Sequence, residues 1–343
     1  MKKNYDLSEL FSVIDNQLVN SPLKAIELLE DNSEHFEDNI LFFLRLGELY
    51  FNQKKYDSAL LSFSRALELE PENVEVLSHI SDVYIKKRDY TQAEVALLKA
   101  IEYEPKNTLL LSKLANLYFD IGKYYESQQL LIQAIEEEPK AEYYSLLATI
   151  YKKMDNDIAC WNTLVKAEQL FPDDINILNQ IGAYYFDLDN FSKALSYFQR
   201  ALSLDPENQH SLFQLAKTFE KMNDPYNAID MYSKIVEINP DHALAYFYLG
   251  KLYSSLGDFA QALICYSKCL ELDPSFSDAA LDLASIHWVS KEYNKALSIL
   301  KEALKFSKDK EIYKMMSNIY EETGNENKAK YYRELSRTNN NED

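Results

Sequence analysis

The stretch from Ala243 to Phe276 reads ALAYFYLGKLYSSLGDFAQALICYSKCLELDPSF. With Ala243 as position 1, it places Tyr246 at 4, Leu249 and Gly250 at 7 and 8, Tyr253 at 11, Ala262 at 20, Tyr266 at 24, Cys269 at 27 and Pro274 at 32. The spacing predicts one helical hairpin, and most of the chain repeats it.

Proline fixes the period. Pro71, Pro105, Pro139, Pro172, Pro206, Pro240 and Pro274 follow at intervals of 34, 34, 33, 34, 34 and 34 residues, and a fixed period of this length is the signature of a solenoid. Nine units start at 40, 74, 108, 141, 175, 209, 243, 277 and 310. Position 8 then reads Gly47, Ser81, Ala115, Ala148, Gly182, Ala216, Gly250, Ala284, Ser317. Position 20 reads Ala59, Ala93, Ser127, Cys160, Ala194, Ala228, Ala262, Ala296, Ala329. All are small, and two helices approach closely only where side chains are small, so these positions mark the contact inside each hairpin. Position 11 carries bulk: Tyr50, Tyr84, Tyr118, Tyr151, Tyr185, Phe219, Tyr253, His287 and Tyr320. These are packing residues on the pattern.

This pattern, carried from about residue 40 to 335, resembles the tetratricopeptide repeat family, whose units share an aromatic, Leu-Gly, Tyr, Ala, an aromatic and Pro at this spacing. The resemblance implies an all-α, right-handed superhelical solenoid. It also implies that the first helix of each pair lines a concave groove that holds a peptide or protein segment. The departures are His287 at position 11, Ile235 at the small position 27, Lys308 where proline would fall, and Lys314, Arg333 and Ser336 in the last unit.

Length alone would divide 343 residues into two or three domains, but repeat units contact mainly their neighbours, so one elongated domain is expected. Residues 1–39 read as a degenerate N-terminal capping hairpin, with Leu7, Leu10, Phe11, Ile14 and Leu18 at helical spacing. Ser21 and Pro22 restart a second helix there, an N-cap followed by proline at the first helical position. Residues 40–337 hold the nine repeats, and 338–343 form a polar tail. A net charge of −19 disfavours a phosphate backbone or an anionic membrane as partner, and 47% hydrophobic residues exclude disorder. No apolar run of 18 residues or leader-like start occurs, so neither membrane insertion nor export is indicated and a cytoplasmic location is expected. Cys160 and Cys269 stand at small positions and read as buried thiols rather than a disulfide framework.

The turns are legible as well. Position 15 holds Gly122, Asp155, Asp189, Asn223, Gly257 or Gly324 in six units, residues that tolerate the left-handed conformation of a helix C-terminus. Position 16 holds Asp89, Asn156, Asn190, Asp224, Asp258 or Asn325, each able to cap the second helix. All six glycines fall at positions 8 and 15, which leaves none for a phosphate-binding or oxyanion loop. No catalytic residue and no cofactor is therefore expected. Cys265, Cys269 and His287 are one ligand short of a closed zinc site, so no metal is expected either.

In the resembled family, positions 2, 5, 9, 12 and 13 face the groove. Repeats six to eight place Phe213, Lys217, Lys221, Phe247, Lys251, Leu281 and Trp288 there, a basic and aromatic set in an acidic chain. The early repeats place Leu41, Leu44, Phe51 and Phe119 there, a secondary, more apolar candidate. A carboxylate clamp of the kind known in the family is matched only in part, by Lys314 and Asn318, with no repeats following. The expected function is a non-catalytic scaffold whose groove holds an acidic segment with apolar anchors. The alternatives are a regulatory or targeting subunit of a separate enzyme, and self-association through the terminal repeats.

Overall fold

A computed structural model describes residues 6–18 and 21–338. Among them are twenty helices and no strand. No helix among the described residues is long and apolar enough to cross a membrane. The tail beyond Thr338 lies outside the described residues.

Where a single elongated domain was expected, the chain groups into two units that divide between Phe171 and Pro172. The first contains α1 (Leu7–Leu18), α2 (Pro22–Asn32), α3 (Ile40–Asn52), α4 (Tyr56–Leu69), α5 (Val74–Lys86), α6 (Tyr90–Tyr103), α7 (Thr108–Asp120), α8 (Tyr124–Glu137), α9 (Ala141–Lys153) and α10 (Asp157–Leu170). The second contains α11 (Ile175–Asp187), α12 (Phe191–Leu204), α13 (Gln209–Lys221), α14 (Pro225–Ile238), α15 (Ala243–Ser255), α16 (Phe259–Leu272), α17 (Ser277–Val289), α18 (Tyr293–Ala303), α19 (Lys310–Glu322) and α20 (Glu326–Thr338). Within each unit every helix packs on the next in sequence, and first helices also touch across neighbouring hairpins, as α3 does α5 and α17 does α19. This is an all-α helical-repeat solenoid.

The small positions do lie at the hairpin contact. All eighteen residues at positions 8 and 20 are buried. In three hairpins one of them is serine; in two of these its hydroxyl reaches the backbone opposite, Ser127 Oγ donating to the Ala115 carbonyl at 2.6 Å and Ser317 Oγ to that of Ala329 at 2.8 Å, whereas Ser81 Oγ donates to the Ser78 carbonyl in its own helix at 2.6 Å. Position 8 is matched in size to position 24 of the same hairpin. A methyl group on Gly47, Gly182 or Gly250 would lie 2.4–2.6 Å from the ring of Phe63, Phe198 or Tyr266. Ala115, Ala148 and Ala284 instead stand where position 24 is Leu131, Leu164 and Leu300. Ala216 faces Tyr232 and breaks this pairing. That ring is placed differently, its hydroxyl donating to Glu220 of its own hairpin at 2.6 Å, whereas Tyr266 donates onward to Asp282 at 3.1 Å.

Each hairpin turn is built the same way. Position 15 has positive φ in all nine, including Lys54, Arg88 and Lys291, where residue type gave no signal. The amide at 16 donates to the carbonyl at 11, as Asn190 to Tyr185 at 2.9 Å, and the amide at 15 to that at 12, as Asp189 to Phe186 at 3.0 Å. This is the Schellman arrangement, which satisfies carbonyls that the helix end leaves open. The six Asp and Asn residues expected as caps at position 16 all accept an amide of the following helix. First helices are capped in turn by Asn39, Asn73, Asn107, Asp174, Asn208, His242 and Asp309. Ser21 precedes Pro22 at the start of α2 as expected, but its side chain accepts no capping bond.

The cores follow from this repetition. Leu10, Ile14, Ala25 and Leu29 of α1 and α2 join Phe42, Leu46 and Phe63 in one cluster of the first unit. At the far end of the second, Ala296, Ile312, Met316 and Ala329 close another, with Tyr332 stacked on Tyr320 at 5.6 Å. Cys160, Cys265 and Cys269 are buried and unpaired. Burial pushes the thiols of Cys265 and Cys269 up to about 11 and about 12, which leaves them protonated and inert at neutral pH.

Candidate functional site

The basic residues of the second unit sit on its first helices: Lys217 and Lys221 on α13, Lys251 on α15. Among the described residues none of the three makes an ion pair. Glu220, between the first two in sequence, accepts the Tyr232 hydroxyl instead. Lys217 Nζ lies 5.5 Å from the centre of the Phe186 ring, and Lys251 Nζ 5.6 Å from Phe247 and 6.0 Å from Tyr248. Aromatic faces attract cations at this range but do not neutralise them.

In the first unit position 9 reads Glu48, Asp82, Asn116 and Thr149 and carries no cation, Lys86 and Lys153 at position 13 make no ion pair among the described residues, and the cations at position 6 are paired. Lys113 donates to both Asp82 oxygens, at 2.9 and 2.7 Å, and to Ser78 Oγ at 2.8 Å. Arg45 pairs with Asp15 and Glu48. The secondary aromatic candidates are occupied too: Phe51 packs on Tyr56 with centroids 6.0 Å apart, and Phe119 on Tyr124 at 5.7 Å. Leu41 is exposed, but Leu44 is only 7% accessible and belongs to the core.

Position 5 is therefore less open than expected. Leu44, Ser78, Ser112, Asn179 and Phe247 are all buried there. Phe247, 8% accessible, packs in a core cluster with its ring 4.9 Å from that of Phe276. The physical reason is that position 5 faces the next hairpin as much as solvent, so it serves the stacking of repeats. Phe213 is half-buried against Tyr232 and Tyr248, at 5.4 and 5.5 Å. Leu281 and Trp288 pack on the last core cluster, and Trp288 Nε1 donates to Glu322 at 2.9 Å. His287 is half-buried rather than part of the core, and its ring is satisfied by Glu292, with Nδ1 2.5 Å from that carboxylate. Among the described residues no three His, Cys, Asp or Glu side chains are grouped as a metal site.

One concavity on this face was not anticipated. A cavity of about 360 Å³ opens between α15, α16 and α17, with Lys251, Ser254, Phe259, Asp282, Ile286 and Val289 among its walls. Asp282 accepts the Tyr266 hydroxyl, and burial raises its carboxyl above the ordinary value. The spacing rule that singled out Lys251 also contains Ser254 at position 12, but a serine there carries no signal by itself.

Comparison with known proteins bears on the family and the fold. Tetratricopeptide repeat family models match residues 41–73, 85–150, 175–208, 209–242 and 243–276, together more than half of the chain. No curated protein sequence matches it. Among solved structures, a tetratricopeptide repeat protein from Parabacteroides merdae is similar with a TM-score of 0.55 and 15% identity, covering 71% of this chain and 97% of that one. The APC/C hetero-tetramer Cut9–Hcn1 is similar with a TM-score of 0.54 and 16% identity over 81% of this chain, which spans 55% of that one. YrrB, described as having an unusual peptide-binding site, is 21% identical over 53% of this chain and 95% of that one, with a TM-score of 0.40.

Proposed function

This chain belongs to the tetratricopeptide repeat family, and from that premise we propose that it is a non-catalytic interaction scaffold whose first-helix face in the second unit holds an acidic segment of a protein partner. The observation that carries the reading is that Lys217, Lys221 and Lys251 on the first helices make no ion pair among the described residues, in a chain of net charge −19. A surface so acidic repels most acidic segments, and a local basic face selects where one can land and orients it. The first unit has lysines at position 13, Lys86 and Lys153, that make no ion pair among the described residues, but none at position 9, where Lys217 and Lys251 stand in successive repeats of the second.

Affinity capture with the purified full-length chain, set beside the triple variant Lys217→Glu, Lys221→Glu, Lys251→Glu, tests this. A stoichiometric partner should bind the wild type and lose affinity in the variant, most at low salt, since each exposed pair is worth only ~0–1 kcal/mol and is screened. A partner held equally by both proteins moves the ligand surface elsewhere.

A further inference from the structure

Positions 12 and 17 flank each hairpin turn, one at the end of the first helix and one at the start of the second. Phe51 meets Tyr56, Phe119 meets Tyr124, and Phe186 meets Phe191 with centroids 5.5–6.0 Å apart. Ile85 with Tyr90, and Trp288 with Tyr293, are likewise half-buried on a shared core cluster. Whenever position 12 is a large apolar group, position 17 is aromatic and partly covered. The seventh repeat departs from this. Phe259 keeps the aromatic at 17, but position 12 is Ser254, and Phe259 is 51% accessible.

The missing group leaves a hole, the 360 Å³ cavity whose walls include Ser254 and Phe259. Its other side is mixed: Ile286 and Val289, which is 79% accessible, supply apolar surface, and Asp282, Ser285 and Ser290 stand beside them. At its edge stands Lys251, which makes no ion pair among the described residues, although its charge is felt by Asp282 in the same wall. The volume lies near the low end for ligand sites, about 300–1,000 Å³, and is ample for one large side chain.

Resting on the acidic-segment reading above, we propose that this socket receives one large apolar side chain of the partner, aromatic by preference, which takes the place that position 12 fills in the sister hairpins. The five sister pairs define the chemistry of the occupant: Phe, Ile or Trp laid against the position-17 ring. Lys251 at the rim then pairs with a carboxylate adjacent to that side chain.

The probe is a blocked pentapeptide, Asp-Glu-Phe-Asp-Glu, titrated into the full chain beside Asp-Glu-Ala-Asp-Glu. The phenylalanine peptide should bind at least about tenfold more tightly. Ser254→Phe and Ser254→Ile, which rebuild the sister arrangement, should melt no lower than wild type and abolish that preference. The socket is overturned if the two peptides bind alike, or if both folded Ser254 variants keep the preference. Equal binding that is salt-sensitive and lost in Lys217→Glu/Lys221→Glu removes the socket and leaves the acidic-segment reading standing. Binding of neither peptide removes both.

Discussion

Gly182 lies so close to Phe198 that a methyl group would sit 2.6 Å from the ring. Gly182→Ala should therefore overpack the hairpin and cost about 1–3 kcal/mol in urea unfolding. Phe198→Leu should restore most of the loss, because leucine faces Ala115, Ala148 and Ala284 elsewhere. If the single variant keeps its melting temperature, or the double variant is less stable still, the size matching is incidental. The pairing was half legible: position 8 reads as small in any alignment of the units, but its dependence on position 24 becomes physical only when the rings are in place. Left-handed Lys54, Arg88 and Lys291 show the opposite limit. Nothing about lysine or arginine announces positive φ; the turn imposes it, because two neighbouring hydrogen bonds outweigh a local strain of about 1–2 kcal/mol.

At the scale of the helix, position 16 serves two elements at once. Asn190 closes α11 through its amide and opens α12 through its side chain, which accepts from Lys193. Asn190→Ala removes only the second contact and should cost about 1 kcal/mol, read as a lower denaturation midpoint with unchanged slope. An unchanged midpoint would mean that packing alone fixes the start of α12. Phe247 tests a different element property. Buried among Tyr248, Tyr266 and Phe276, it joins α15 to α16 and to the connector before α17. Phe247→Ala should lower stability by about 3–5 kcal/mol, and a fully stable variant would return it to the ligand face. The basic set was readable because charge on a first helix stands out against an acidic chain. The socket was not, since it is defined by an absence at Ser254 that only the filled sister turns make visible.

The same aromatic plan governs the molecule as a whole. Burial and the hydrogen bond that its hydroxyl donates to the Glu30 carboxylate push the Tyr50 phenol up to about 12. Tyr118, Tyr232 and Tyr266 are raised too, by burial first and then by Glu94, Glu220 and Asp282. A folded-state value above the ordinary 10 favours the neutral phenol. Its stabilisation is whole below pH 10, and for Tyr50 it is lost as pH rises to about 12. Helical circular dichroism should thus fall steeply in that alkaline interval, together with a cooperative rise of tyrosinate absorbance. Independent ionisation of these tyrosines with intact helices would contradict their burial. Fold class was legible at this scale from the proline period alone, whereas the division between Phe171 and Pro172 coincides only with the end of its one 33-residue interval, too slight a mark to be read as a boundary.

Each of the nine turns inside a hairpin has three residues, from Gln53–Lys55 to Thr323–Asn325, whereas the links between hairpins within a unit run to three residues before α9, four before α13 and six before α19. A turn whose single residue closes one helix and caps the next cannot lengthen without losing both functions, but a link can. Insertions and deletions in the gene's history should have accumulated in the links. A tag or fluorophore spliced between Lys305 and Lys308 would ride on the surface of the protein, whereas the same graft between Leu256 and Asp258 would pry a repeat apart.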